Sequence, residues 1–177
     1  MKTQIQLQRQ QLKEQCYRLI LSFFSLERIN LMNHLESGRR FTTYIKERKS
    51  VFLNFFISLY GQSYNQLFYD IATKRGELFY NNSLNMNPKS VFSPLRLEII
   101  ANTEANTLLN LRRYQQAVSE NKKEKIWISN PESTRHGFMN GEKRLLEEYH
   151  SNNCLFPGDI TGNANSVVNC RCFQIFI

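Results

Sequence analysis

The chain has 177 residues, 41% of them hydrophobic, and carries 23 Lys and Arg against 15 Asp and Glu, a formal net charge of +8. This apolar content is enough for a packed core of one domain, or of a small domain with a helical extension, and it excludes a disordered chain. The positive charge predicts a polyanion or an acidic protein surface as a partner.

The N-terminus and the apolar segments show no sign of export or membrane insertion. Residues 1–14 are rich in Gln and lack the apolar core of a signal peptide. The longest apolar runs, residues 19–26 and 51–60, are too short to span a bilayer. We therefore expect an intracellular protein without a membrane partner.

The N-terminal half is predicted to be helical. Apolar residues recur at helical spacing over residues 4–35, and Gly38 follows as a stop signal. Residues 41–79 predict a second helical stretch, rich in Phe and Tyr, which Gly61 divides. Such a density of aromatic side chains is typical of helix packing rather than of a base-stacking surface.

The Asn-rich residues 81–88 have the composition of a turn and mark the predicted domain boundary. We expect a helical arm or bundle over residues 1–88. A second, C-terminal module is expected over residues 89–177.

A third helix is predicted to begin at Ser93 and Pro94 and to reach about Ser119. Glu104 lies in the middle of its apolar stripe, where a carboxylate requires a cation or a hydrogen-bond donor because unpaired burial is costly. Alternatively, Glu104 tilts to the edge of the stripe and stays hydrated. The apolar members of the stripe are Leu97, Ile100, Leu108 and Leu111. The candidate partners of the carboxylate are Arg135, His136 and Arg171.

Beyond residue 121 the pattern changes to short strands, predicted at residues 126–128, 167–168 and 172–177. Residues 142–156 are acidic and are predicted to be helical. The predicted fold class is therefore α+β, with a long helical N-terminal half followed by a small α+β C-terminal module with short strands.

The C-terminal half carries an ordered set of motifs, which we call the C-terminal signature. This pattern resembles the Mu F-like minor head proteins, also called head morphogenesis proteins, of tailed bacteriophages. The resemblance covers roughly residues 95–175, and it departs from the family at Asn130-Pro131-Glu132, where many members have an Asp. In chain order the motifs are Thr103-Glu104, Lys122-Lys123, Trp127, Thr134-Arg135-His136, Gly141, Pro157-Gly158-Asp159 and Asn169-Cys170-Arg171-Cys172.

The resemblance implies a structural minor head component rather than an enzyme. Such a protein is associated with the phage portal, other capsid proteins and double-stranded DNA, and acts in head morphogenesis or DNA delivery. It implies a location in the virion, and in the host cytoplasm during assembly. The residues expected to form a structural or functional cluster are Glu104, Trp127, Arg135, His136, Asn169, Cys170, Arg171 and Cys172.

The main alternative is a phage-borne nuclease or toxin-like enzyme that uses His136, Arg135 and Glu104. A His base and an Arg at a phosphate are the groups that such chemistry needs. The same residues also make a structural knot in which Trp127 covers the charged groups, and we favour this interpretation. A third hypothesis is a small zinc-dependent folding module that binds nucleic acid.

No cofactor is expected, with zinc as the one candidate. The cysteines of a chain without a signal peptide predict free thiols or metal ligands rather than disulfides. If the Cys-x-Cys pair lies on a strand, both thiols point to one face and Arg171 to the other. This geometry permits shared metal ligation, and it equally permits two small buried residues. The candidate zinc ligands are His136, Cys154, Cys170 and Cys172, with His150 as a further candidate.

Basic residues near the end of the third helix are the candidate nucleic-acid contacts. For any single short cluster, a hydrated helix surface is the better explanation. The candidates are Arg112, Arg113, Lys122, Lys123 and Lys125.

The position of Glu104 generates a first prediction. If the carboxylate joins the third helix to the signature, Glu104→Ala leaves a buried partner without its countercharge and should lower the free energy of unfolding by roughly 3 kcal/mol or more. Urea unfolding measures this loss. A loss under about 0.5 kcal/mol, typical of an exposed pair, would show that the helix and the signature are not joined at this residue.

Overall fold

A computed structural model describes residues 2–61, 66–131, 135–162 and 164–177 of the chain. Helices occupy the N-terminal part and a small antiparallel sheet lies near the C-terminus, so the fold is α+β, as predicted. Within these residues, no helix combines the length and apolar content needed to cross a membrane.

The chain divides into two compact units whose boundaries differ from the predicted ones. The helical unit is Gln15–Glu98, and the mixed unit combines Met1–Glu14 with Ile99–Ile177. The predicted boundary at residue 88 is therefore too early, and the start of the first helix belongs with the C-terminal residues. A continuous helical pattern carries no signal that its two ends serve different cores, and Ile5, buried in the mixed unit, illustrates this.

Five helices account for most of the described part of the helical unit. Gly38 and Gly61 follow the first and third of them with φ of 79° and 80°, a left-handed backbone that glycine adopts at little cost. Both glycines therefore act as the predicted stops. The helices are α1 (Lys2–Glu36), α2 (Phe41–Glu47), α3 (Lys49–Tyr60), α4 (Gln66–Leu84) and α5 (Pro88–Val91).

Aromatic side chains form the core of the helical unit. The rings of Phe52 and Phe79 meet edge to face with centroids 5.1 Å apart, and Phe24 meets Phe92 in the same way at 5.2 Å. The predicted use of these rings in helix packing is confirmed. Helices α3 and α4 approach closely at Gly76, where a Cβ would lie 2.8 Å from the Cα of Leu53.

The helical unit also buries one carboxylate with its donors. Glu27 is fully buried and accepts hydrogen bonds from Tyr44 Oη at 2.7 Å and Arg48 Nε at 2.9 Å. Burial and then the hydrogen bond to Glu27 raise the pKa of Tyr44. The pairing offsets the cost of burying this charge.

The mixed unit is built from one long helix and a three-stranded sheet. Helix α6 (Pro94–Ser119) starts at the predicted cap, where Ser93 Oγ accepts from the Arg96 backbone N–H at 3.3 Å. Strand β1 (Glu124–Ile128) is central and pairs antiparallel with β2 (Lys143–Leu145) and β3 (Phe173–Phe176). The predicted strands at residues 126–128 and 172–177 are confirmed.

Two predicted elements are wrong. Residues 142–156 form strand β2 and turns instead of a helix, because Glu142 accepts from the Ser151 backbone N–H at 3.0 Å and from its Oγ at 2.7 Å. Such local bonds compete with helix formation. The strand predicted at residues 167–168 is also absent, since Val167 ends the short helix α7 (Ala164–Val167).

Candidate functional site

The middle of α6 is buried on every side. All residues from 103 to 111 are buried, so the single predicted apolar stripe was too narrow. Glu104 is 3% exposed, which confirms its predicted burial and excludes the hydrated alternative. Three polar residues, Thr103, Thr107 and Asn110, follow one another at i, i+4 and i+7 and therefore lie on one face. We call them the polar row.

The polar row bonds to the backbone of two segments of the signature, the Pro157-Gly158-Asp159 turn and the Asn169-Cys170-Arg171-Cys172 motif. A buried backbone group without a partner is costly, so these side chains decide which loop conformations are tolerated against α6. Thr103 Oγ1 accepts from the Asn169 N–H at 3.1 Å, Thr107 Oγ1 donates to the Gly158 carbonyl at 3.0 Å, and Asn110 Nδ2 donates to the Cys172 carbonyl at 3.2 Å.

The Pro157-Gly158-Asp159 motif is a turn that packs tightly on α6. Gly158 has a φ of 88°, and a Cβ at this position would lie 2.7 Å from Thr107 Oγ1. The Asp159 carboxylate closes the turn by accepting from the Leu155 N–H at 2.7 Å and the Thr161 N–H at 3.0 Å. Glycine is required here both for its backbone and for the close approach.

His136, Cys170 and Cys172 form a buried cluster, called the His-Cys cluster below. Their ligand atoms all lie within 4.8 Å of one another. His136 Nδ1 is 3.3 Å from Cys172 Sγ and 3.6 Å from Cys170 Sγ. The polar row and the Ser129 hydroxyl, which donates to the His136 carbonyl, hold the segments that carry these residues.

The pKa values of the two thiols in the cluster are shifted in opposite directions. The pKa of Cys172 is lowered to about 4. The hydrogen bond from Cys170 is the largest cause, the hydrogen bond with His136 acts in the same direction, and burial opposes both. The hydrogen bond to Cys172, followed by burial, raises the pKa of Cys170. The two thiols therefore titrate as a coupled pair, in which the hydrogen bond between them favours loss of the first proton.

Two distances in the cluster match those expected for a tetrahedral metal site. Zinc bonds of about 2.3 Å to sulfur and about 2.0 Å to nitrogen place the two ligand atoms about 3.5 Å apart at a tetrahedral angle. The two observed nitrogen to sulfur distances, 3.3 and 3.6 Å, match this spacing. Thiolate and imidazole are ligands that zinc prefers. His136, Cys170 and Cys172 would supply three ligands.

Cys154 lies beside the cluster but outside it. It shares the apolar core of Trp127, Met139, Cys170 and Cys172, yet its Sγ faces the Asp159 carbonyl at 3.8 Å. Gly162 packs against this thiol. The structure therefore brings together three of the four predicted zinc ligands. All four cysteines are buried, and none of them forms a disulfide among the described residues.

Trp127 separates the cluster from a second polar group around His150. Its ring meets His136 edge to face at 5.6 Å and His150 at 5.1 Å. Gln174 Nε2 donates to His150 Nε2 at 2.9 Å, so this nitrogen acts as an acceptor. Burial, and then the charge of Lys125, lower the pKa of His150 to about 4. His150 is not among the ligand atoms that converge in the His-Cys cluster, and its bond to Gln174 gives it a structural role.

Lys125 is not a nucleic-acid contact, contrary to prediction. It is fully buried, its Nζ donates to the Leu155 carbonyl at 2.8 Å, and burial lowers its pKa to about 8. The alternation of β1 turns Lys125 to the same inner face as Trp127.

The other predicted nucleic-acid contacts differ in their exposure to solvent. Arg112 and Lys123 are exposed, and Lys122 is half-buried. Arg113 is also half-buried and donates to the Gln174 carbonyl at 2.9 Å, so it stabilises β3. An exposed phosphate contact is thus supported most clearly for Arg112 and Lys123.

The remaining signature residues are divided between the interior and the surface. Arg135 donates to the Val168 carbonyl at 2.8 Å, and Arg171 is exposed while its neighbouring cysteines are buried. That alternation is the predicted one, although it occurs just before β3. Asn169 has a left-handed backbone with φ of 53°. The pairing of Glu104 with Arg135, His136 or Arg171 stays a prediction, and Thr134 lies outside the described residues.

Sequence reasoning missed Thr107, Asn110 and Gln174. The first two carry a usable signal, because polar residues that recur at helical spacing inside a buried helix require partners. Gln174 had no such signal, since its role depends on its register opposite Trp127 in the sheet.

No protein-family model matches the chain. No curated protein and no solved structure matches it either. The resemblance to Mu F-like proteins therefore stays a prediction that depends on the signature.

His150 generates a pH prediction. An unfolded His takes up a proton near pH 6.5, whereas the folded residue stays neutral down to about pH 4. Between these values the unfolded chain binds the extra proton, so the free energy of unfolding should fall as pH drops, by up to about 1.4 kcal/mol per pH unit from this residue. His150→Gln should reduce that slope in urea unfolding between pH 6.5 and pH 4. Equal slopes in the two proteins would contradict the assignment.

Proposed function

We propose that this chain is a structural, non-enzymatic component of a tailed-phage head, associated with the portal and DNA and acting in head morphogenesis or DNA delivery. The observation that carries the proposal is the convergence of the signature. Thr103, Trp127, His136, Cys170 and Cys172 are distant in sequence, yet they are buried in one unit and joined through α6 and the His-Cys cluster. If the module had the fold of the Mu F-like proteins, this would explain why the motifs of the signature occur in this order.

Burial supports a structural role for the chemically reactive residues. His136 is 2% exposed, Cys170 3% and Cys172 0%. A general base or nucleophile must come within hydrogen-bond reach of its substrate. A structural metal has the opposite requirement, since its ligands are enclosed. The proposal therefore includes zinc bound by His136, Cys170 and Cys172, with a fourth ligand from outside this cluster, as a structural element of the module.

Surface charge supports a contact with DNA. The chain has a net charge of +8, and Arg112 and Lys123 are exposed near the C-terminal end of α6 and the start of β1. Phosphate contacts of this kind bind without reading sequence, and their strength falls with salt because counterions are released.

Exposed apolar residues support a protein partner. Leu19, Leu26 and Ile29 lie on one side of α1 and are between 51% and 59% exposed. Neighbouring exposed apolar residues often mark an interaction surface. The phage portal is the partner that the proposal assigns.

The proposal is tested by binding to the portal protein of the same genome and to double-stranded DNA. We expect a complex with the portal in size-exclusion chromatography, and DNA binding at low salt that weakens steeply as salt is added. Arg112→Gln combined with Lys123→Gln removes two phosphate contacts and should reduce the slope of log affinity against log salt concentration by about two. Arg18→Gln combined with Lys46→Gln removes the same charge from exposed positions in the helical unit and serves as the control.

The proposal would be contradicted if the protein bound neither the portal protein nor DNA. Incubation of the same preparations with DNA and RNA tests the nuclease alternative. Cleavage that His136→Ala abolishes would establish an enzyme. Cleavage that survives the substitution would point to a contaminant.

A further inference from the structure

A concave site lies in the mixed unit and includes Cys170 of the His-Cys cluster in its lining. Its volume is about 270 Å³. The walls come from the first turns of α1, from α6 and from the signature segment that precedes β3. The lining residues are Gln6, Arg9, Gln10, Lys13, Asn102, Ala105, Asn169, Cys170 and Arg171.

The charge of this pocket has one sign. Arg9, Lys13 and Arg171 contribute three cations, and the described lining contains no carboxylate. The side-chain amides of the lining add further N–H donors. A concavity lined by charges of one sign concentrates the electric field and attracts ions of the other sign. The occupant that matches this lining is an anion.

Arg9 indicates which kind of anion. Its Nε and Nη2 are buried and have no hydrogen-bond partner among the residues that the structure describes. Buried guanidinium donors without acceptors are costly, and a ligand with several acceptor oxygens would remove that cost. Guanidinium binds phosphate through two parallel hydrogen bonds, whereas the ammonium of Lys13 acts as a point charge.

The size of the pocket narrows the choice. Sites for drug-sized ligands usually enclose roughly 300–1,000 Å³, and this pocket is slightly smaller than that range. It can therefore enclose a phosphate group and the first part of the group that carries it. Three cations suit a phosphate dianion better than a singly charged carboxylate.

From this combination of shape, charge and buried donors we infer that the pocket binds a terminal phosphate monoester. Arg9 and Arg171 hold the phosphate oxygens, and Lys13 and the amides complete the site. The phosphate belongs either to a free small molecule or to the end of a nucleic-acid strand. This assignment is independent of a role in a phage head and of the exposed cations Arg112 and Lys123.

Isothermal titration calorimetry with three probes tests the inference. The probes are inorganic phosphate, a dinucleotide with a 5′-phosphate, and the same dinucleotide with a 5′-hydroxyl, at constant ionic strength set with chloride. We expect binding of both phosphate-bearing probes and none of the hydroxyl form. Tighter binding of the phosphorylated dinucleotide than of inorganic phosphate supports a strand end as the source, and equal binding shows that the site recognises the phosphate group alone, as a small phosphate ester supplies it.

Two variants locate the binding. Arg171→Gln and Arg9→Gln should each weaken phosphate binding about tenfold or more, as loss of a charged hydrogen bond does. Lys46→Gln removes the same charge from an exposed position in the helical unit and should leave binding unchanged. Circular dichroism checks that the variants fold. If Arg9→Gln is unfolded, the phosphate affinity of Arg171→Gln decides the test, because Arg171 is exposed. Absence of binding at millimolar probe, or equal affinities in Arg171→Gln and Lys46→Gln, would overturn the inference.

Discussion

The C-terminal module depends on hydrogen bonds between the polar row of α6 and the loops that surround it. Thr103, Thr107 and Asn110 together satisfy three backbone groups in two loop segments that have little regular structure, the turn at Gly158 and residues 169–172. Gly158 and Cys172 are buried, and backbone groups at buried positions require such partners. The close approach also explains a glycine, since any side chain at Gly158 would collide with Thr107. Helix α6 thus acts as the template on which the signature folds.

Much of the fold follows from local sequence patterns. The stops at Gly38 and Gly61 and the cap at Ser93 were predictable because their chemistry is confined to a few residues. The errors arise where tertiary contacts decide. Acidic residues such as Glu142 suggested a helix, but its carboxylate bonds to Ser151 in a turn. Lys125 looked like a surface cation, but strand alternation carries it into the interior.

The candidate site was predictable in composition and only partly in arrangement. His136, Cys170 and Cys172 were candidate ligands by residue type, and the structure brings their ligand atoms within 4.8 Å of one another. Cys154 could not be separated from them by sequence, since its exclusion depends on the turn of Asp159 that occupies its thiol. The phosphate pocket was not predictable at all, because Arg9 and Arg171 come from opposite ends of the chain. These arrangements depend on tertiary contacts, which the spacing of residues along the sequence does not reveal.

The central claim is that the signature is a structural core fastened at the His-Cys cluster by zinc. The measurement that tests it most directly is the zinc content, by elemental analysis, of protein purified without added metal. The account predicts about one zinc per chain, which is lost in Cys172→Ser and retained in Cys154→Ser, because only Cys172 belongs to the cluster. Less than about 0.1 zinc per chain in the unmodified protein, or equal loss in both variants, would contradict it.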